Sequence, residues 1–273
     1  DTYALAHNGN GGHGNISTFT ISSDGLTITE ITTLDHDDEQ GKYNSLVQAD
    51  SNTYVLAYAG EGDKGYISTF TISSDGTTIT EVATLEHDEN KGFYNSLVQV
   101  DSDTYVLAYA GNGDDGYITA FTIPSDGSTI TEVAGSTLVH DTHNGAYNSL
   151  VQVDSDTYVL AYAGHNHDGH ISTFTISSDG TSIVKWDSLE HDVVRAQHNS
   201  LVHVTSNTYA LAYTGDGLDA YISTFTIGSN GDITPIRIQN HSSSCEISEN
   251  FKHSADMGKY NSLVHVAQDN GYH

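Results

Sequence analysis

Basic residues, cysteine and proline are nearly missing from this 273-residue chain, which has eight Lys and Arg together, one Cys and two Pro. Against 36 acidic residues they leave a formal charge of −28. Such a surface repels phosphate backbones and anionic lipid, and favours cations, neutral ligands or a saline medium. Nucleic acid is therefore excluded as a partner. The lone Cys245 leaves no intrachain disulfide to form. No apolar run approaches the roughly 18 residues that a spanning helix needs, so membrane insertion is not expected. Acidity with few lysines and abundant Ser, Thr, Asn and Gly points to a secreted or cell-surface protein. Helical periodicity is missing too, which leaves β-structure.

What the chain has instead is repetition. Asn-Ser-Leu-Val recurs with its asparagine at Asn44, Asn95, Asn148, Asn199 and Asn261, spaced 51, 53, 51 and 62 residues apart. Periods of this length mark solenoids, propellers or arrays. With no linker-like stretch between copies, residues 1–273 read as one domain of five repeats of about 51–62 residues, with an insertion at 239–252 that contains Cys245.

Each copy contains four β-rich runs. In the second, Ser45–Ala49 and Tyr54–Tyr58 flank the turn at 50–53, and Tyr66–Ile72 and Thr78–Val82 flank Asp75-Gly76, a strong hairpin signal. Four antiparallel strands per copy describe a propeller blade. The chain opens on a second-type strand at 2–7 and closes on a first-type strand at 261–266. The predicted fold is therefore an all-β, five-bladed β-propeller of four-stranded antiparallel blades, closed by pairing of the C-terminal strand with the N-terminal blade, which leaves no exposed edge. Tight turns fall on one face and longer, variable loops on the other, where binding is expected.

Three repeated sets are candidates for chemistry there. The first is a histidine eight positions before each asparagine, at His36, His87, His140, His191 and His253, followed in four copies by Asp37, Asp88, Asp141 and Asp192. A His-Asp pair can orient an imidazole, bind a metal or hydrogen-bond a sugar hydroxyl; repeated by a scaffold, it can equally be a structural network. The second set is aromatic. Tyr58, Tyr109, Tyr162 and Tyr213 end the second strands, Tyr66, Tyr117 and Tyr221 begin the third, and Tyr43, Tyr94, Tyr147 and Tyr260 precede the asparagines, with His7, His170 and His198 at the diverged positions. Flat, hydrogen-bonding rings can stack on a sugar or pack between blades. The third set is the asparagines themselves, whose amide oxygens suit Ca²⁺ and whose alternative role is to cap their own turns. His165, His167 and His170 form a local cluster in one copy only.

The phrase Gly65-Tyr66-Ile67-Ser68-Thr69-Phe70-Thr71-Ile72, followed by Ser74-Asp75-Gly76 and Ile79-Thr80-Glu81-Val82, resembles the repeat of lactonase-type and related surface-antigen propellers over about half of each blade. That resemblance implies seven blades, against five counted here, so the family's hydrolase activity is not carried over. The five-copy architecture resembles tachylectin-2-like lectins, which implies one sugar pocket per blade. The expectation is a non-catalytic, multivalent carbohydrate-binding protein. It would engage glycans or cell-surface polysaccharide between blades through the His-Asp pairs and Tyr58, Tyr109, Tyr162 and Tyr213. The alternatives are a calcium-dependent, lactonase-like hydrolase with an axial metal at the asparagines, and a self-associating surface-layer or filament subunit.

Overall fold

The computed structural model describes residues 2–240. Its five antiparallel sheets are β-propeller blades. The first contains β1 (Thr2–Asn8), β2 (Gly14–Ile21) and β3 (Ile28–Asp37). The second contains β4 (Lys42–Gln48), β5 (Thr53–Ala59), β6 (Gly65–Ile72) and β7 (Ile79–Asp88). The third contains β8 (Phe93–Gln99), β9 (Thr104–Ala110), β10 (Gly116–Thr122), β11 (Thr131–Glu132) and β12 (Leu138–Asp141). The fourth is β13 (Ala146–Gln152), β14 (Thr157–Ala163), β15 (Gly169–Ile176) and β16 (Ile183–Asp192), and the fifth is β17 (Gln197–Thr205), β18 (Thr208–Thr214), β19 (Ala220–Ile227) and β20 (Ile233–Asn240). Strands follow one another across each sheet in chain order, except that β11 and β12 both pair with β10, and a single 3-10 turn links the second and third strand of every copy.

The expected closing strand at 261–266, with His253, Tyr260 and Asn261, lies outside the described residues, as does Cys245. Within them, β20 runs on to Asn240, so regular pairing continues into the expected insertion. Contacts divide the chain into two compact units, one of Asp1–Asn148 with Ile176–Val184, the other of Ser149–Thr175 with Lys185 onwards.

Period-two alternation on a strand covered on both faces builds the core of the first unit. Along β5, Leu56 and Tyr58 enter one cluster with Ile16, Phe70 and Ile72. Val55 and Ala57 point the other way, into a cluster with Ile67, Leu97, Leu107 and Phe121. This explains why the second strands read as continuous apolar runs. Each fully buried Leu or Ile contributes about 1.5–3 kcal/mol. In the second unit, Val159, Ala161, Ile171, Leu201, Leu211 and Phe225 form the equivalent cluster.

Hairpin tips fasten neighbouring sheets. The Asp75-Gly76 and Asn230-Gly231 turns put Gly76 at φ +73° and Gly231 at +84°, conformations glycine adopts without strain. Their carbonyls then accept from buried threonines of the preceding sheet: Thr18 Oγ1 to Gly76 O at 2.7 Å, Thr69 Oγ1 to Gly127 O at 2.7 Å, and Thr173 Oγ1 to Gly231 O at 2.6 Å. The third copy departs from this pattern. Ala120 stands where the others have threonine, and the two extra residues of its 53-residue repeat fall in 134–137, which interrupts the outer strand between β11 and β12. There the Ser136 hydroxyl replaces a ladder carbonyl, accepting from Ala120 N at 3.1 Å.

Candidate functional site

Three of the repeated histidines, His36, His87 and His140, are the extra residues of β-bulges. Gly65 pairs with Asp88 and Tyr66 with Glu86, so His87 is skipped; His36 and His140 are skipped in the same way. A bulge re-aims its side chain. The imidazole turns inward between consecutive sheets: His36 meets Tyr58 at 4.7 Å and Phe70 at 5.6 Å, His87 meets Tyr109 and Phe121, and His191 meets Tyr213 and Phe225, all edge-on. Tyr58, Tyr109 and Tyr213 stack in turn on Tyr66, Tyr117 and Tyr221, and Tyr162 stacks on His170, at 5.3–5.6 Å.

These rings fill the space where sugar pockets were expected. Tyr58, Tyr109, Tyr162 and Tyr213 are at most 4% exposed. Burial holds His87 at about 3 and His191 at about 4, and lowers His36 as well, so the imidazoles are neutral at pH 7. His140 is buried too. The aspartates that follow shape loops: Asp37 Oδ1 accepts from Glu39 N and Gln40 N, Asp88 from Asn90 N and Lys91 N, Asp141 from His143 N and Asn144 N, and Asp192 from Val194 N and Arg195 N, all at 2.9–3.1 Å. The single-copy histidines do not converge, because His170 is committed to Tyr162 and to Asp168 at 3.2 Å while His165 and His167 belong to a 3-10 turn.

Those aspartate-shaped loops deliver the chain to a second irregularity, at the starts of the inner strands. Tyr43, Tyr94 and Tyr147 have φ of +55°, +57° and +56°, and His198 has +54°. Bulky residues enter this left-handed region rarely and at a cost of roughly 1–3 kcal/mol, and such strain clusters at functional sites. In the first unit the three tyrosines form a ladder, with centroids 4.6 Å apart from Tyr43 to Tyr94 and 4.3 Å from Tyr94 to Tyr147, and Phe93 packs on Tyr43 at 4.6 Å. Burial raises the Tyr94 hydroxyl, which also hydrogen-bonds with those of Tyr147 and Tyr43, so it stays protonated.

The neighbouring asparagines staple this arrangement. Asn95 Nδ2 donates to Gly92 O at 2.9 Å and across to Tyr43 O at 3.1 Å; Asn148 Nδ2 donates to Gly145 O at 2.8 Å and to Tyr94 O at 3.1 Å. Asn44 and Asn199 make the local bond, to Gly41 O and Ala196 O. With each Nδ2 so committed, Oδ1 is the acceptor left over, and in Asn44, Asn95 and Asn148 it is buried without a protein partner.

Around the ladder the copies stop being alike. The residue before the strained position is Lys42, Phe93 or Ala146, and two residues earlier stand Gln40, Lys91 and Asn144. Gln40 Nε2 donates to Asp63 Oδ1 at 2.5 Å, with Lys42 Nζ 3.7 Å from the same oxygen. Lys91 pairs with Asp114 and lies 4.6 Å above the Phe93 ring. Asp63 and Lys91 both act on the Tyr43 hydroxyl, which burial raises. Identical backbones thus present different side chains at one place. Sequence reasoning identified the asparagines and tyrosines but gave no site role to Gln40, Lys42, Asp63, Lys91 and Asp114, although four of the eight basic residues, Lys42, Lys91, Arg195 and Lys259, precede the asparagine of an Asn-Ser-Leu-Val phrase by two or four positions.

No protein-family model matches the sequence, and no curated protein matches it. Solved structures do. The periplasmic gluconolactonase of Pseudomonas aeruginosa superposes with a TM-score of 0.67 at 14% identity, over 87% of this chain and 69% of that one. A protein from Lactobacillus plantarum gives 0.65 at 14% identity, over 87% and 67%, and a candidate 6-phosphogluconolactonase from Bacteroides fragilis gives 0.63 at 16% identity, over 87% and 67%. The fold is that of the lactonase-type propellers. Two findings correct the expected non-catalytic lectin: the likeness runs to lactonase-type structures, and the spaces between consecutive sheets hold packed His and Tyr rings where its sugar pockets were placed.

Proposed function

We propose that the chain is a lactonase-like hydrolase acting on neutral sugar-acid lactones, with its site at the tyrosine ladder of the first unit. The observation that carries this reading is the divergence of otherwise near-identical copies around Tyr43, Tyr94 and Tyr147. A catalytic centre needs unlike groups converging on one point, and a strictly repeated scaffold supplies them only where its copies differ. The likeness to gluconolactonase-type propellers supports the same class.

In lactone hydrolysis water attacks the ring carbonyl, and negative charge develops on its oxygen. The Tyr94 hydroxyl, kept protonated by burial, is the proposed donor to that oxygen. Asp63 and Asp114, which pair with Lys42 and Lys91, are the candidates to take a proton from the attacking water. Because Lys42 and Lys91, the two lysines beside the ladder, are engaged by Asp63 and Asp114, neither is an uncommitted cation for a phosphate, which favours an unphosphorylated substrate. The Oδ1 atoms of Asn44, Asn95 and Asn148 are the groups that would hold Ca²⁺, with water supplying the rest of its six to eight oxygens; a bound ion would polarise the carbonyl.

The test is proton release from glucono-δ-lactone and from its 6-phosphorylated form, each with calcium and with chelator. Faster hydrolysis of the neutral lactone supports the reading, and loss of rate in chelator supports the metal. Rates equal to buffer on both lactones reject it.

A further inference from the structure

We propose that His13, Asp35 and Asp38 form a surface site for a divalent transition-metal ion, of which Zn²⁺ is the probe of choice. The three side chains come from β3, from the loop that follows it and from the residue just before β2. His13 Nδ1 lies 2.9 Å from Asp35 Oδ2, and one ligand atom of each of the three residues falls within 4.8 Å of the others. Donors about 2.0–2.2 Å from one tetrahedral ion stand about 3.3–3.6 Å from each other, so small torsional adjustments bring this set onto an ion. One imidazole and two carboxylates favour zinc, nickel or manganese over calcium. The loop is already braced, since Asp37 Oδ1 accepts from Glu39 N and Gln40 N across the turn that presents Asp38.

The protein carries its own control. In the second copy the equivalent positions, 51 residues on, are Lys64, Glu86 and Glu89. There Lys64 Nζ pairs with Glu86 Oε2 at 3.0 Å, and the lysine ammonium offers no lone pair to a metal. The third copy has Asp115, Val139 and Thr142, and the fourth Asp168, Glu190 and Val193. In the first copy alone of these four, a ligating imidazole replaces the lysine and both carboxylates are kept. Among the described residues, this is the one group of three His, Cys, Asp or Glu side chains with ligand atoms so close. It shares no residue with the tyrosine ladder, so it stands apart from the proposed hydrolase.

The experiment is calorimetric titration of the full chain with zinc chloride in a non-chelating buffer. Wild type is expected to bind one equivalent through this site. His13→Lys, which installs the ion pair already present in the second copy and so keeps the fold, is expected to weaken that binding at least about tenfold, as is Asp38→Asn. A His165→Ala/His167→Ala variant is expected to bind like wild type. Undiminished binding in His13→Lys and Asp38→Asn, binding lost only in the His165/His167 variant, or no binding up to about 1 mM zinc would each overturn the proposal.

Discussion

His87 stands edge-on against Tyr109, ring centroids 4.7 Å apart and planes at 80°, with neither imidazole nitrogen bonded to another protein group. The same relationship joins His36 to Tyr58 and His191 to Tyr213. A neutral imidazole tolerates such a place better than a charged one does.

Acid should therefore unfold the protein in a window set by these histidines. Folded His87 titrates near 3 and His191 near 4, whereas both titrate near 6.5 when unfolded. Between these values the unfolded state binds more protons, so stability is complete above about pH 6.5 and falls as pH drops towards about 4 for His191 and about 3 for His87. At pH 5 the His87 contribution alone is about 2 kcal/mol. Urea midpoints at pH 7.5 and 5 measure it. The loss should shrink in His87→Phe, and a midpoint independent of pH in wild type would refute the assignment.

Thr69→Val should cost about 1–2 kcal/mol. The hydroxyl is buried and donates to Gly127 O, so valine leaves that carbonyl unsatisfied while keeping the shape. Thr80→Val, on an exposed position of β7, should be nearly neutral. Equal melting temperatures for both variants would show that the hairpin-tip bond is not a fastening.

Asn95→Asp should be worse than Asn95→Ala. Alanine only removes donors, whereas a carboxylate turns an acceptor towards the carbonyls of Gly92 and Tyr43, for a loss of about 2–4 kcal/mol. Protonation restores one donor, so the aspartate variant should recover part of its deficit in mild acid, as read by thermal melts. If aspartate were as good as asparagine at pH 7, the two Nδ2 bonds would not be what holds the bulge.

The blades were legible because strand alternation and Asp-Gly turns are local signals, and the 51-residue spacing fixed where each recurs. What the sequence concealed was direction. Nothing local in Leu85-Glu86-His87-Asp88 says that His87 is a bulge residue turned inward, because that depends on the register with Gly65 and Tyr66. Tyr43, Tyr94 and Tyr147 were equally hidden, since left-handed backbone is ordinarily advertised by Gly or Asn. The pairs Gln40–Asp63 and Lys91–Asp114, 23 residues apart, require two loops to meet. No periodic pattern encodes such a meeting, and it occurs where the copies are least alike.

The most direct test of the account is the rate of glucono-δ-lactone hydrolysis by wild type and Tyr94→Phe. Phenylalanine keeps the ring in the ladder and removes only the hydroxyl and its bonds to Tyr147 and Tyr43, so the fold should be kept with a loss of about 1–2 kcal/mol. The account predicts saturable hydrolysis by wild type and a fall in kcat of about a hundredfold in the variant, the cost of losing one donor to a developing oxyanion. Wild-type rates no higher than buffer, or a variant as fast as wild type, would contradict a hydrolase centred on this ladder.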